Sequence, residues 1–209
     1  MNAVNKTVLV VGATGHLGTA ICQLLVKEGA RVKGLVRATS DAGKVNALKK
    51  MGVETVEGDL KDQRSLDSAM QGVTHIISTA TAIVSRQQGD SLQSVDEEGQ
   101  QHLIESAVAN EVQQFIYISV HPFPHPFPLQ TAKRHTEKSL IESGLAYTIL
   151  QPTVFMEVWL SPALGFNFAE AKATIYGDGK KSFKWISISD VARYAVASVD
   201  NQKALNKTF

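Results

Sequence analysis

Lys6-Thr7-Val8-Leu9-Val10-Val11, followed by Gly12-Ala13-Thr14-Gly15-His16-Leu17-Gly18, is the stretch from which the fold can be read. The first six residues are an apolar run rich in β-branched side chains. Behind the glycines, Thr19 to Gly29 carries Ile21, Leu24, Leu25 and Val26 at helical spacing. Strand, glycine-rich turn and helix in that order give the glycines a mechanism. Small residues let the backbone turn sharply and approach a pyrophosphate, while a helix N-terminus offers it unpaired N–H groups and partial positive charge. A tight βα turn without a ligand would use the same residues. With both flanks in place, the reading is a dinucleotide site built on Gly12, Thr14, Gly15, His16, Leu17 and Gly18.

The alternation continues outward from this turn. Arg31–Val36 reads as a second strand, Ala42–Met51 as a helix and Val53–Glu57 as a third strand. Ser65–Met70 reads as a short helix and Thr74–Ser78 as a fourth strand. Residues 92–110 read as one long amphipathic helix and Phe115–Ile118 as a fifth strand. A helix over Thr131–Ser143 then ends at Gly144, and Ala146–Leu150 makes a sixth strand. Six strands separated by helices predict an α/β, doubly wound parallel sheet of the Rossmann type, with helices on both faces. A single domain is expected over residues 1–209, with 152–189 contributing a small substrate-side lobe. Val120–Pro128 breaks the rhythm. It holds four of the six prolines and is expected to be a stiff, extended loop at the carboxyl edge of the sheet, where ligands bind in such folds.

The end of the second strand chooses between cofactors. An acid there accepts from a ribose 2′-OH, whereas an arginine accommodates a 2′-phosphate. Arg37 stands there, nineteen residues after Gly18, with Thr39 and Ser40 beside it and no acid between Glu28 and Asp41. The expected cofactor is therefore NADP(H). Gly58-Asp59-Leu60 is placed to flank an adenine, although Asp59 would serve equally as an N-cap. Thr79 and Ala80, after the fourth strand, are small enough for a cofactor to lie against the backbone. Pro152 and Phe155, after the sixth, are placed to form a nicotinamide wall. Phe155, Met156, Trp159, Phe166 and Phe168 would line a pocket for a flat, apolar substrate. Gly177-Asp178-Gly179-Lys180 reads as a hairpin turn before Ser182–Ile188.

Composition narrows the remaining classes. A net charge of +1 over 209 residues gives no basic stripe for nucleic acid or a membrane surface. No signal peptide or membrane-spanning run is legible, so a cytoplasmic location is expected. The one cysteine, Cys22, is expected to be a buried small hydrophobe. No His, Cys or acid cluster has metal-ligand spacing.

The glycine turn, Arg37, Gly58-Asp59-Leu60 and the stretch from Lys133 through Gln151-Pro152 resemble the NmrA-like branch of the atypical short-chain dehydrogenase/reductases. The segment Glu137–Pro152 is similar to that branch's helix–strand passage into the substrate side. Asp190-Val191-Ala192 is like its acidic residue opening a late helix. Members usually continue past the point where this chain stops. The resemblance implies NADPH-dependent reductases of quinones and related carbonyl compounds, or non-catalytic proteins that sense the dinucleotide and bind a partner.

By resemblance, Ser119 takes the position of the serine that steadies the substrate oxygen. Lys133 takes that of the lysine, which holds the ribose or nicotinamide and, in ordinary members, lowers the pKa of a tyrosine four residues earlier. Leu129 occupies the tyrosine's place, so the standard proton donor is missing. His121 and His125 in the proline loop are candidate donors, histidine being suited to proton transfer near neutral pH. Tyr117 is another only if it leaves the core. The expected catalytic set is Lys133, Ser119 and His121. The expected activity is NADPH-dependent reduction of a quinone or similar small carbonyl compound; the alternative is a non-catalytic NADP(H) sensor. A homodimer or a protein partner fits either reading.

Overall fold

The computed structural model describes residues 6–83, 85, 87–175, 177–180 and 182–209. The chain alternates β1 (Thr7–Val11), α1 (His16–Lys27), β2 (Arg31–Val36), α2 (Ala42–Lys50), β3 (Glu54–Glu57), α3 (Gln63–Ala69) and β4 (His75–Ser78). A π-helical turn at Leu92–Glu97 leads into α4 (Glu98–Ala109), β5 (Gln114–Ile118), α5 (Pro128–Glu142) and β6 (Tyr147–Leu150). The substrate-side segment holds β7 (Val154–Phe155), α6 (Met156–Trp159), β8 (Phe166–Asn167), β9 (Lys172–Ala173) and β10 (Trp185–Ile186). Then α7 (Ile188–Ala197) and β11 (Lys207–Thr208) complete the chain.

The main sheet is parallel, in the order β11-β6-β5-β4-β1-β2-β3. Alternate side chains of each strand enter different cores. Leu9, Val11, Ile76, Phe115, Tyr117 and Ile149 pack with Leu66, Leu103 and Leu140 of α3, α4 and α5. Val8, Val10, Ile77, Ile116 and Leu150 pack with Ile21, Leu48 and Val191 of α1, α2 and α7. The expected doubly wound α/β sheet is the one observed. Strand order reverses between β1 and β4, so the crevice at their carboxyl ends is the topological switch point.

Four details differ from the sequence reading. A seventh strand, β11, adds beside β6. It is only two residues long and polar, and backbone bonds seat it on β6: Asn206 N donates to the Tyr147 carbonyl at 2.6 Å and Phe209 N to the Ile149 carbonyl at 2.9 Å. Residues 92–110 are not one helix, because the backbone breaks at Glu97 (φ −110°, ψ −79°) between the π turn and α4. Pro128 is the first residue of α5 rather than the end of the loop, since proline suits a first helical turn. Finally, among the described residues β10 pairs in parallel with β7, no hairpin is seen across Gly177–Lys180, and β8 with β9 is the one short antiparallel pair. Among the described residues, no helix is long and apolar enough to cross a membrane.

Candidate functional site

At the switch point the chain leaves β1 through Gly12, whose φ of +84° lies in the left-handed region. A Cβ there would stand 2.6 Å from Thr79 Oγ1, and one on Gly18 would stand 2.1 Å from the Gly12 carbonyl oxygen. Turn, helix and the end of β4 are thus closed to within a methyl group. Gly15 is the N-cap of α1; no side chain caps that helix, and no acid lies in its first turn. By contrast α2, α3 and α7 begin on Asp41, Asp62 and Ser187, each accepting from a first-turn N–H. The start of α1, at the positive end of the helix dipole, thus carries no side-chain cap, a condition it shares with α4, α5 and α6. Around it, His16 is exposed, Thr14 is half-buried and Leu17 packs on the core below.

On one side of this cradle lie the ends of β2 and β3. Arg37 N donates to Ser40 Oγ at 2.9 Å, and the Arg37 guanidinium meets the Asp90 carboxylate at 2.7 Å. Lys61 and Ser85 also donate to Asp90, and Lys61 lies 3.8 Å from Asp59. Burial pushes the Asp90 carboxyl upward, but hydrogen bonds from Lys61, Ser85 and Arg37 outweigh it and hold its pKa down at about 2. Asp59 also accepts from Lys61 N at 2.9 Å, in a turn, so it does not cap a helix; Asp62 caps α3. Leu60 turns into the core, 6 % exposed, against the position of Gly99.

On the other side lie the ends of β4, β5 and β6. Thr79 Oγ1 donates to the Val11 carbonyl at 3.0 Å, tying β4 to β1, and Ala80 follows half-buried. Ser119 directly follows β5, with a buried hydroxyl that has no hydrogen-bond partner among the described residues. Lys133 is in the second turn of α5 and not the first, because the helix starts at Pro128. Its ammonium is buried. It donates to the Ile118 carbonyl at 3.1 Å, lies 3.6 Å from Asp96 Oδ1 and sits 4.9 Å over the Tyr117 ring. Burial lowers the Lys133 pKa against the opposing pull of Asp96. His121 N donates to the Pro152 carbonyl at 2.9 Å, which joins the proline loop to the end of β6. His125 is exposed at the tip of that loop.

Two side chains are removed from chemistry by burial, as their sequence context leads one to expect. Tyr117 is fully buried, and burial raises its phenol pKa well above the ordinary range. Cys22 is likewise buried, with its thiol pushed up to about 12. The expected apolar pocket is not assembled as read: Phe155 packs on the core, while Trp159 and Phe168 are 47 % and 74 % exposed. The aromatic contacts run instead through the proline loop, from His121 to Phe123 (5.3 Å), Phe123 to Phe183 (6.5 Å) and Phe183 to Trp185 (5.1 Å).

Three residues that the sequence reading did not single out belong to this edge: Lys61, Asp90 and Asp96. Lys61 directly follows Gly58-Asp59-Leu60 and could have been included with it. Asp90 lies in an aperiodic stretch, and its contact with Arg37 joins a residue after β4 to the end of β2, on the far side of β1. Asp96 sits in the π turn, where its other oxygen accepts from Ala82 N at 2.8 Å. A simple helical wheel over residues 92–110 gives no hint of that position.

A family model described as the NmrA-like family matches residues 4–209. The photosystem II assembly factor Ycf39 of Cyanophora paradoxa is 31 % identical over 205 residues, covering 97 % of this chain and 62 % of that protein. An NAD(P)H azoreductase of Xenophilus azovorans is 29 % identical, over 97 % of this chain and 66 % of its own length. Among solved structures, the NADPH-dependent quinone oxidoreductase QOR2 of Escherichia coli, complexed with NADPH, superposes with a TM-score of 0.75 at 25 % identity. That match covers 97 % of this chain and 68 % of that one. The chain thus spans roughly three-fifths to two-thirds of the length of these relatives.

Proposed function

The chain belongs to the NmrA-like family, and on that premise we propose that it is an NADP(H)-dependent reductase of a flat quinone or similar small carbonyl compound. The observation that carries the cofactor half is the uncapped start of α1 behind Gly12 and Gly18, with Arg37 at the end of β2. In this reading the first turn of α1 holds the pyrophosphate, and Arg37 and Lys61 receive the 2′-phosphate. Thr79, Ala80, Pro152 and Phe155 bound the nicotinamide side. The reduced cofactor supplies a hydride.

The chain's own groups supply positioning and a proton. Ser119 has a buried, unpartnered hydroxyl, which is costly unless an oxygen is brought to it. Steadying a substrate oxygen satisfies it. Lys133 holds the Ile118 carbonyl and so fixes the strand end beside Ser119. With leucine at position 129, the proton comes from His121, on the loop tied to Pro152. A quinone is electrophilic enough for such an arrangement, since placement beside the donor supplies much of the barrier reduction. NADPH mixed with the protein and a panel of quinones, followed at the nicotinamide absorbance band, should show turnover that falls in Ser119→Ala. Rates no higher than without protein would refute the enzymatic reading.

A second reading, an NADP(H) sensor that engages a protein partner, is favoured by one observation: no tyrosine stands at position 129, and Tyr117 is sealed in the core. A partner captured only with NADP(H) bound would support it. Capture independent of the cofactor would count against it.

A further inference from the structure

We propose that Asp90 is a built-in competitor for the 2′-phosphate of NADP(H): its carboxylate occupies the two cations, Arg37 and Lys61, that would receive that phosphate. The inference rests on the reading of Arg37 given above and assigns the anion that Arg37 holds before cofactor binds.

The topology makes this placement specific. β4 lies on one side of β1, and β2 and β3 lie on the other. A side chain following β4 must therefore pass the carboxyl end of β1 to reach Arg37. Asp90 does so, and its side chain is 2 % exposed. A second contact follows the same route, Thr39 Oγ1 donating to Gln87 Oε1 at 2.7 Å. The carboxylate is held by three donors, Arg37 at 2.7 Å, Lys61 and Ser85. Guanidinium, ammonium and hydroxyl are the donor set that a phosphate monoester takes.

Charge gives the direction of the exchange. Asp90 brings a single negative charge to two cations, one of which already has Asp59 at 3.8 Å. A phosphate monoester brings between about 1.5 and 2 negative charges at neutral pH and three acceptor oxygens. NADP(H) can therefore displace the carboxylate, at the cost of the contacts it breaks. A ribose 2′-OH has no charge to offer and leaves Asp90 in place. Asp90 thus lowers affinity for the phosphorylated cofactor alone, which makes it a determinant of the NADP/NAD ratio.

The test is a set of calorimetric titrations with 2′,5′-ADP and 5′-AMP on the wild-type chain and on Asp90→Asn, Ser85→Ala and Arg37→Ala. Asp90→Asn should tighten 2′,5′-ADP by about tenfold, since the competent state no longer has to be released from the latch. Its 5′-AMP affinity should stay within about twofold, because that ligand never draws on the released cations. Ser85→Ala removes one donor to the carboxylate and should shift 2′,5′-ADP in the same direction by less. Arg37→Ala should lose the preference for 2′,5′-ADP. If Arg37→Ala loses it but Asp90→Asn binds 2′,5′-ADP no better, or worse, Asp90 positions Arg37 instead of competing and the inference is overturned. Weaker 5′-AMP binding in a folded Asp90→Asn would overturn it too, by making Asp90 the ribose acceptor. An Arg37→Ala variant that keeps the preference would instead remove the premise, by showing that Arg37 does not read the 2′-phosphate.

Discussion

A methyl group on Gly18 would stand 2.1 Å from the Gly12 carbonyl oxygen, where no flexible side chain can give way. Gly18→Ala should therefore push α1 off the turn. Overpacking of this kind typically costs about 1–3 kcal/mol, and urea denaturation would measure it; an unchanged midpoint would show that the helix is not seated as described. At this scale the sequence was informative wherever backbone geometry dictates the residue. The three glycines were legible because few other side chains fit a left-handed turn or a closed helix–turn contact, and Arg37 because it is the residue type proposed to receive a 2′-phosphate. Ser119 and Lys133 were legible only through resemblance to a family. Lys61 stood next to a motif that was legible, but Asp90 was not legible, because its meaning depends on a contact across 29 residues of chain.

Among the elements, the segment between β4 and the π turn has a stability that depends on a titratable group. Asp90 pins it to Arg37, Lys61 and Ser85, and its pKa is held at about 2 against an ordinary 3.8. A carboxyl depressed on folding stabilises the folded chain above its unfolded pKa and loses that contribution as pH falls through the folded one. The wild-type chain should thus lose stability between pH 3.8 and about 2 more steeply than Asp90→Asn. Parallel acid-unfolding curves for the two would contradict the latch. Helix and strand existence was readable from apolar periodicity, but their ends were not. Pro128 reads equally as loop or as a first helical residue, and the neighbours Phe127 and Leu129 do not decide between them. The break at Glu97 follows from a local backbone turn capped by Ser91 and Ser94, which a periodic pattern passes over.

In the molecule as a whole, β1 sends Leu9 and Val11 to one core and Val8 and Val10 to the other. A strand buried on both faces reads as a continuous apolar run, and that is why the doubly wound sheet could be read from Thr7–Val11 and its successors. β11 escaped because Lys207-Thr208 carries no such signal and is placed by backbone bonds to Tyr147 and Ile149 instead. The substrate side was the least legible part. Its aromatic contacts join Phe123 of the proline loop to Phe183 and Trp185, positions set by tertiary packing and not by local pattern. The claim on which the rest depends is that the switch point between β1 and β4 is an NADP(H) site. Calorimetric titration of the chain with NADP⁺ and with NAD⁺ tests it directly. Saturable binding at a single site, tighter for NADP⁺, is the predicted result; no saturable binding of either, or a preference for NAD⁺, would contradict it.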